Sequence, residues 1–172
     1  MERHEGTNDS DQIAAARQAI VAAVDRGLTL GTAESLTGGS VAAALVSVPG
    51  ASEAFEGAVV SYSHAVKTRT LGVPAELLER VGAVDAQVAE EMARGARRAL
   101  GVDVAVSTTG VAGPEPHDGK PVGTVFVAVA GPGGTSSTEL HLDGDRAEIR
   151  EQSVLAALRD VTTHCRHSET SQ

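Results

Sequence analysis

The sequence predicts an α/β fold, a three-layer α/β/α sandwich built around a mixed sheet. Segments with helical periodicity alternate with short strand-like runs up to about residue 110, which is typical of parallel strands covered by helices on both faces. Two further strand-like runs flank GPGG at 131–134, which predicts an antiparallel hairpin and therefore a mixed sheet. With 172 residues, 41% hydrophobic but 2% aromatic, the chain suits one compact domain whose core is mainly Ala, Val and Leu.

Caps, glycines and changes of hydrophobic period mark the elements of the first half. Gly27 is the stop signal of the first helix, and proline is tolerated in the first turn of a short helix that contains Leu77 and Leu78. The predicted elements are a helix from Ser10 or Asp11 to about Asp25, a strand at 28–34, a helical segment at 37–48, a strand at 55–63, a helical turn at 64–72 and a short helix opened by Val73-Pro74.

Two aspartates act as predicted N-caps in the second half, Asp85 and Asp145. The helix after Asp85 is the clearest, because Val88, Met92 and Ala96 recur on one face. The remaining predicted elements are a helix at 86–100, a strand at 102–110, a Gly- and Pro-rich loop at 110–121, strands at 122–130 and 135–143, and a closing helix from Asp145 to about Val161. We expect a single domain at 11–163 between an N-terminal tail at 1–10 and a C-terminal tail at 164–172.

Composition excludes several classes of protein. A formal net charge of −9 argues against nucleic acid as a partner, since duplex binding depends on clustered Lys and Arg. No apolar run reaches the roughly 18–20 residues of a membrane span. Cys165 is the only cysteine, which rules out an internal disulfide and favours a reducing cytoplasm. No cluster of ligands has the spacing of a metal site.

The stretch GTAESLTGGS at 31–40 lies where a strand ends and a helical segment begins. Ser35 there would stand at the carboxyl edge of the sheet, near unpaired amides, and Gly38 and Gly39 would allow a ligand or another backbone to approach closely. The structural interpretation is that Ser35 or Thr37 merely caps the helix. The stretch is neither a GxSxG nucleophile elbow nor a phosphate-binding P-loop.

A serine nucleophile needs an activating base, and histidine is hard to supply here. His4, His164 and His167 lie in predicted tails and His141 lies in a strand that can point it to solvent, which leaves His64 and His117. An amine or a phenolate can also activate serine, and VVSYSHAVK at 59–67 contains both, as Tyr62 and Lys67. The structural alternative is a tyrosine packed at a sheet edge and a solvated lysine.

Several motifs together resemble the C-terminal domain of the competence/damage-inducible protein CinA. They are TAESLTGGSVAAALVSVPGAS, GAVVSYSHAVKTRTLGV, AVSTTGVAGP and KPVGTVFVAV, and the resemblance extends over about 13–161. Stand-alone members of that family are nicotinamide mononucleotide amidohydrolases. The resemblance implies hydrolysis of the carboxamide to nicotinate mononucleotide and ammonia, with Ser35 as nucleophile assisted by Tyr62 and Lys67. It also implies a homo-oligomer and no cofactor or metal.

We expect the small nucleotide substrate to be bound by groups around the nucleophile. The amides of Leu36 and Thr37 are candidates for an oxyanion hole, and Gly38 and Gly39 leave room beside them. Arg146 is the charged candidate for the phosphate, with a solvated helix face as the alternative for both Arg146 and Arg150. The remaining binding candidates are Thr109 and Gly110 as phosphate donors, and Glu34, which would orient Lys67, attract the pyridinium or be paired structurally.

The chain departs from the family pattern at three places. Leu36 replaces the usual cysteine, His64 and Ala65 replace an asparagine and a carboxylate, and the loop at 113–123 contains two extra prolines. These changes leave two alternatives open. One is a serine amidohydrolase for another small carboxamide, and the other is a nucleotide-binding module without turnover, in which Ser35 is only a helix cap.

Overall fold

The computed structural model describes residues 8–168, so the parts of the expected tails at 1–7 and 169–172 lie outside the described residues. Up to residue 110, helical segments separate consecutive strands as the periodicity predicts, and the later strands follow one another directly. The elements are α1 (Asn8–Arg26), β1 (Leu30–Glu34), α2 (Ser40–Val46), a 3-10 turn (Ala51–Glu53), β2 (Phe55–Val60), α3 (His64–Leu71), α4 (Ala75–Val81), α5 (Ala86–Leu100), β3 (Val104–Gly110), β4 (Thr124–Gly131), β5 (Gly134–His141) and α6 (Arg146–His167).

The strands within residues 8–168 form a five-stranded sheet in the order β2-β1-β3-β4-β5. Strand β1 pairs in parallel with both β2 and β3, whereas β3–β4 and β4–β5 are antiparallel. The predicted mixed sheet and hairpin are therefore confirmed. The carboxyl ends of β1, β2 and β3 meet at one edge, which is where ligands bind in open α/β sheets.

Helices cover both faces of this sheet and complete the predicted three layers. Side chains alternate along each strand, so Val104 and Val106 pack in one core with α1, α2 and α6, while Ala105 packs in the other with α3, α4 and α5. No helix within residues 8–168 has the length and apolar character needed to cross a bilayer.

The ends of the outer helices differ from the prediction. Helix α1 begins at Asn8 and not at Ser10 or Asp11, so residues 8–10 of the predicted N-terminal tail are helical. Helix α6 continues to His167, past the predicted end near Val161 and into the predicted C-terminal tail. The reason is Cys165, which lies one turn beyond Val161 on the same face and is completely buried. Its burial extends the apolar stripe of the helix by a turn.

Both predicted aspartate caps are confirmed. The Asp85 carboxylate accepts a hydrogen bond from the Gln87 amide at 2.8 Å and starts α5. Asp145 accepts from the amides of Ala147 and Glu148, and the Glu148 carboxylate accepts from the Asp145 amide, which forms a capping box. This cap fixes where α6 begins, and therefore which side chains of its first turns reach the sheet edge.

Helix α5 packs closely against the end of α3 because Gly95 has no side chain. A Cβ atom at Gly95 would lie 2.0 Å from the Leu71 carbonyl oxygen. The close approach supports α3 from behind and thereby the orientation of the residues that α3 carries.

Gly95→Ala should destabilise the fold although alanine has the higher helix propensity. The added methyl group must push the α3 backbone away, so we expect the free energy of unfolding to fall by about 1–3 kcal/mol. Urea denaturation of the two proteins measures this difference.

Gly133→Ala is the matched control, because a Cβ at Gly133 meets no atom within 4 Å and the residue is not among those with positive φ. Its stability should stay within about 0.5 kcal/mol of the wild type. Equal stability of Gly95→Ala and the wild type would contradict the packing argument.

Candidate active site

Two adjacent parallel strands bring Ser35 and Lys67 together. Ser35 follows the last residue of β1, and its amide donates to the Thr108 carbonyl oxygen of β3 at 3.0 Å. After β2 the chain passes through Ser61 and Tyr62 into α3, where Lys67 lies in the first turns. Since β1 and β2 run in the same direction, the segments after both strands lie at the same edge of the sheet.

Lys67 is completely buried, and its amine contacts Ser35 directly. The Nζ atom lies 3.0 Å from Ser35 Oγ, 2.6 Å from the Ser61 carbonyl oxygen and 3.4 Å from the Tyr62 carbonyl oxygen. Burial lowers the pKa of Lys67 from 10.5 to about 8, while the Asp118 carboxylate acts in the opposite direction. A substantial neutral fraction is therefore available near pH 8, as a base requires.

The Ser35 hydroxyl faces a cavity of about 330 Å³ at the sheet edge. The cavity brings together six of the predicted site residues: Ser35, Leu36, Tyr62, Thr109, Gly110 and Arg146. The rest of its wall comes from His64, from Ala83 and Val84 before α5, and from residues 111–117 of the loop after β3. Lys67 reaches this space through its contact with Ser35.

Tyr62 and Arg146 form the exposed rim of the cavity. Tyr62 is 67% exposed, and its hydroxyl accepts a hydrogen bond from Arg146 Nη2 at 3.3 Å. Arg146 Nη1 donates to the Gly113 carbonyl oxygen at 2.6 Å. The backbone carbonyl oxygen of Tyr62 contacts the Lys67 amine, whereas its phenol lies at the rim. The contact between Ser35 and the Lys67 amine is therefore direct and does not pass through the phenol.

The structure corrects the assignment of Glu34 as a substrate-binding residue. Its carboxylate is completely buried and accepts hydrogen bonds from four donors. The donors are the amides of Val41 (2.8 Å) and Ala42 (3.0 Å) and the hydroxyls of Thr37 (2.7 Å) and Thr32 (3.1 Å). Of the alternatives for Glu34, structural pairing is the one observed, because the carboxylate stabilises the amino terminus of α2.

Ser35 is not a helix cap, so the structural interpretation of the stretch is wrong. Helix α2 starts only at Ser40, after a turn in which Gly38 and Gly39 have φ values of 58° and 99°. Gly39 occupies the N-cap position and has no side chain that could accept a capping hydrogen bond. Thr37, Gly38 and Gly39 are not among the residues that line the cavity. Gly38 and Gly39 reverse the chain, and the Thr37 hydroxyl is bound to Glu34.

Thr109 and Gly110 border the cavity mainly through their backbone. The Thr109 hydroxyl donates to the Ala83 carbonyl oxygen at 2.7 Å, so it is committed to the protein. Gly110 has no room for a side chain, because a Cβ atom would lie 2.8 Å from the Thr124 carbonyl oxygen. The Ala83 amide in turn donates to Asp118 Oδ2 at 2.7 Å, which attaches the loop after β3 to this wall.

The histidines do not form a triad with Ser35 among the described residues. His64 and His117 line the cavity, but neither has a hydrogen bond to Ser35 within 8–168. His164 and His167 belong to α6 and not to a tail. In the same range, His, Cys, Asp and Glu side chains form no group of three or more that could hold a metal ion.

Arg150 is a site residue that the sequence reasoning assigned no role. Its Nε donates to the Leu36 carbonyl oxygen at 2.9 Å and its Nη2 to the Thr37 carbonyl oxygen at 3.2 Å. The available signal was the Asp145 cap, since it places Arg146 and Arg150 one turn apart on the same face of α6. That spacing indicates that the two arginines share a face of α6. It does not indicate that Arg150 binds the turn after Ser35.

Comparisons with known proteins agree with this fold. The family CinA C-terminal domain matches residues 12–165. A CinA-like protein of Frankia casuarinae is 50% identical over 135 residues, which cover 78% of this chain and 31% of that protein. A putative competence-damage inducible protein of Desulforamulus reducens is 48% identical over 136 residues, covering 79% and 33%. The chain thus spans about a third of the length of these curated relatives.

Solved structures match over nearly the whole chain. A CinA superfamily protein from Klebsiella pneumoniae superposes with a TM-score of 0.88 at 32% identity, covering 91% of this chain and 99% of that one. The competence/damage inducible protein CihA from Agrobacterium tumefaciens gives 0.85 at 36% identity, covering 95% and 98%. The α/β fold of this chain is therefore shared with CinA superfamily proteins.

The titration of Lys67 provides a test of the buried amine. The chain has two lysines, Lys67 and Lys120, so the ¹³Cε signal of Lys67 can be assigned by its loss in Lys67→Met. We expect its titration midpoint near pH 8, because burial disfavours the ammonium form. A midpoint above pH 10 would contradict the effect of burial on the pKa of this amine.

Proposed function

The chain belongs to the CinA C-terminal domain family, and we propose that it is an amidohydrolase that converts nicotinamide mononucleotide to nicotinate mononucleotide and ammonia. The observation that carries this proposal is the 3.0 Å contact between Ser35 Oγ and the buried amine of Lys67 at the wall of a cavity. The pair supplies a nucleophile and a base in contact. The choice of substrate comes from the resemblance of the motifs, and the proposed role is in pyridine-nucleotide salvage.

The first half of the reaction uses the neutral form of Lys67. The carbonyl oxygens of Ser61 and Tyr62 accept its two N–H groups, which leaves the lone pair for the Ser35 proton. Ser35 Oγ then bonds to the carboxamide carbon as its proton moves to Nζ, and the negative charge collects on the former carbonyl oxygen. Lys67 returns the proton to the amide nitrogen, the C–N bond breaks, and ammonia leaves.

The second half releases the acid from an ester on Ser35. A water molecule attacks the ester carbon while Lys67 accepts one of its protons. The C–Oγ bond breaks, and Lys67 delivers that proton to Ser35. The product ionises to the carboxylate, and the enzyme returns to its starting state.

The phosphate of the substrate would be bound at the rim of the cavity. Arg146 is exposed there, with its guanidinium held by the Gly113 carbonyl oxygen and the Tyr62 hydroxyl. These two contacts leave further N–H donors for phosphate oxygens, since a guanidinium has five. Of the two alternatives proposed for this side chain, a binding role is supported by its place in the cavity wall.

A serine amidohydrolase for another small carboxamide is the second candidate function. Residues Pro114 to His117 line the cavity and belong to the loop that departs from the family pattern. The same chemistry at Ser35 would then act on a different group. Ser35 does not cap α2, so the binding-module alternative cannot rest on that role, and the Ser35→Ala experiment below tests it.

Ser35→Ala should abolish ammonia release from nicotinamide mononucleotide. Loss of the nucleophile is expected to lower kcat by about 1000-fold or more, while the nucleotide still binds with a Kd within a few-fold of the wild type. An ammonia assay and calorimetric titration measure the two effects.

Ser153→Ala serves as the control, because Ser153 is also a buried serine but lies on α6 and does not line the cavity. It should keep wild-type turnover. If wild-type protein releases ammonia from another carboxamide but not from the mononucleotide, the second candidate function replaces the first. Turnover by Ser35→Ala above a tenth of the wild-type rate would contradict the nucleophile.

Arg146→Ala should selectively weaken binding of the mononucleotide. Loss of a charge-assisted hydrogen bond of about 1.5–3 kcal/mol predicts a KM for the mononucleotide that rises by about 10–100-fold. The KM for nicotinamide riboside, which has no phosphate, should change little. Arg69→Ala, which removes an exposed charge outside the cavity, should leave both values unchanged. An equal rise for both substrates would contradict phosphate recognition by Arg146.

A further inference from the structure

The turn after Ser35 carries two backbone amides without an internal partner. No hydrogen bond within residues 8–168 uses the N–H of Leu36 or of Thr37. Both residues are buried, and Leu36 lines the cavity next to the Ser35 hydroxyl. Buried amides are rarely left unpaired, so donors in this position point to an acceptor that arrives with a ligand.

The orientation of these amides is determined by the carbonyl oxygens of the same peptide groups. In a trans peptide the N–H points opposite to the preceding C=O. The Ser35 carbonyl oxygen accepts from the Gly38 amide at 3.1 Å, which fixes the peptide that carries the Leu36 N–H. The Leu36 carbonyl oxygen accepts from Arg150 Nε at 2.9 Å, which fixes the peptide that carries the Thr37 N–H.

Arg150 holds the turn from outside through a second contact as well. Its Nη2 donates to the Thr37 carbonyl oxygen at 3.2 Å, and Nη2 also lies 3.5 Å from the Ser40 hydroxyl. A planar guanidinium thus binds two successive carbonyl groups of the turn in a fixed fork geometry. Its positive charge also polarises the Leu36–Thr37 peptide group, which strengthens the N–H on the opposite side as a donor.

We propose that Arg150 is a positioning residue that holds the Leu36 and Thr37 amides as the oxyanion site for the reaction at Ser35. This inference rests on the proposed function, because an oxyanion forms only if Ser35 attacks a carbonyl or phosphoryl centre. Arg150 does not touch the substrate in this proposal. It acts on the transition state through the peptide groups that it orients.

The experiment measures the reactivity of Ser35 with and without the arginine. A small alkyl fluorophosphonate forms a P–Oγ bond with Ser35 as the P–F bond breaks, and fluoride leaves while Lys67 takes the serine proton. Its phosphoryl oxygen occupies the oxyanion site, so the limiting rate of labelling reports on that site without any nucleotide substrate. Intact-protein mass spectrometry follows the adduct, and Ser35→Ala shows whether Ser35 is the labelled residue.

Arg150→Ala should lower the limiting labelling rate about 10–100-fold, because a misplacement of about 1 Å near the reacting atoms can cost about 100-fold in rate. The kcat for nicotinamide mononucleotide should fall by a similar factor, with KM within about twofold. Arg150→Lys keeps the charge and can reach one carbonyl group, so its labelling rate and kcat should fall by a smaller factor. Arg159→Ala is the matched control, because Arg159 is exposed on the same helix and does not line the cavity.

Each outcome decides the proposal. Labelling by Arg150→Ala at the wild-type rate would overturn it, even if thermal unfolding showed a less stable protein. A rise in KM with unchanged kcat and labelling would overturn it too, because the arginine would then bind substrate. If Arg150→Ala does not fold, Arg150→Lys decides. A labelling rate at least threefold below the wild type supports the positioning role, and a wild-type labelling rate refutes it.

Failure of the proposed function gives a different result. Wild-type protein that is labelled at Ser35 but releases no ammonia from the mononucleotide would refute the substrate assignment. The labelling rates would still test Arg150 in that case. Wild-type protein that is neither labelled nor active would refute the nucleophile and the oxyanion site together.

Discussion

The site depends on one buried amine. Lys67 is completely enclosed, and removing an ammonium group from water is unfavourable unless its protons are bound or the charge is lost. Here two carbonyl oxygens and one hydroxyl surround the amine, and burial lowers the pKa of Lys67 to about 8, so that the neutral form is populated near that pH. Parallel pairing of β1 and β2 sets the distance, because it brings the ends of both strands to the same edge. Without that pairing the amine would not lie against Ser35.

A second buried ionisable group stabilises the turn beside this amine. Glu34 directly precedes Ser35 and accepts hydrogen bonds from the first amides of α2. The carboxylate therefore acts from one side of the turn and Arg150 from the other, where it binds the carbonyl oxygens of Leu36 and Thr37. Between them they fix a segment that is neither helix nor strand. The proposed reaction would depend on such fixation, since misplacement of a reacting group by about 1 Å lowers the rate strongly.

Local sequence patterns were sufficient for the fold and for bringing Ser35 and Lys67 to one sheet edge, whereas their chemical roles came from the resemblance of the motifs. Hydrophobic period and aspartate caps predicted the element order, and the ends of adjacent strands predicted that Ser35 and Lys67 lie near each other. Patterns failed where a long-range contact overrides a local preference. Serine is a common N-cap, yet a carboxylate from β1 stabilises α2 in its place. The contact of Arg150 with Leu36 joins residues 114 positions apart, and no periodicity reports such a pair.

The loop between β3 and β4 connects two antiparallel strands that pair directly with each other. Val111 and Gly123 close its two ends, because the Gly123 amide donates to the Val111 carbonyl oxygen at 2.8 Å. Residues between these ends line the cavity, whereas Ser35 and Lys67 lie in the segments that follow the parallel strands β1 and β2, on the other side of β3. Insertions and substitutions in a loop closed in this way leave strand register intact. A change of sequence in this loop can therefore reshape the cavity wall while the strands that precede Ser35 and Lys67 keep their pairing.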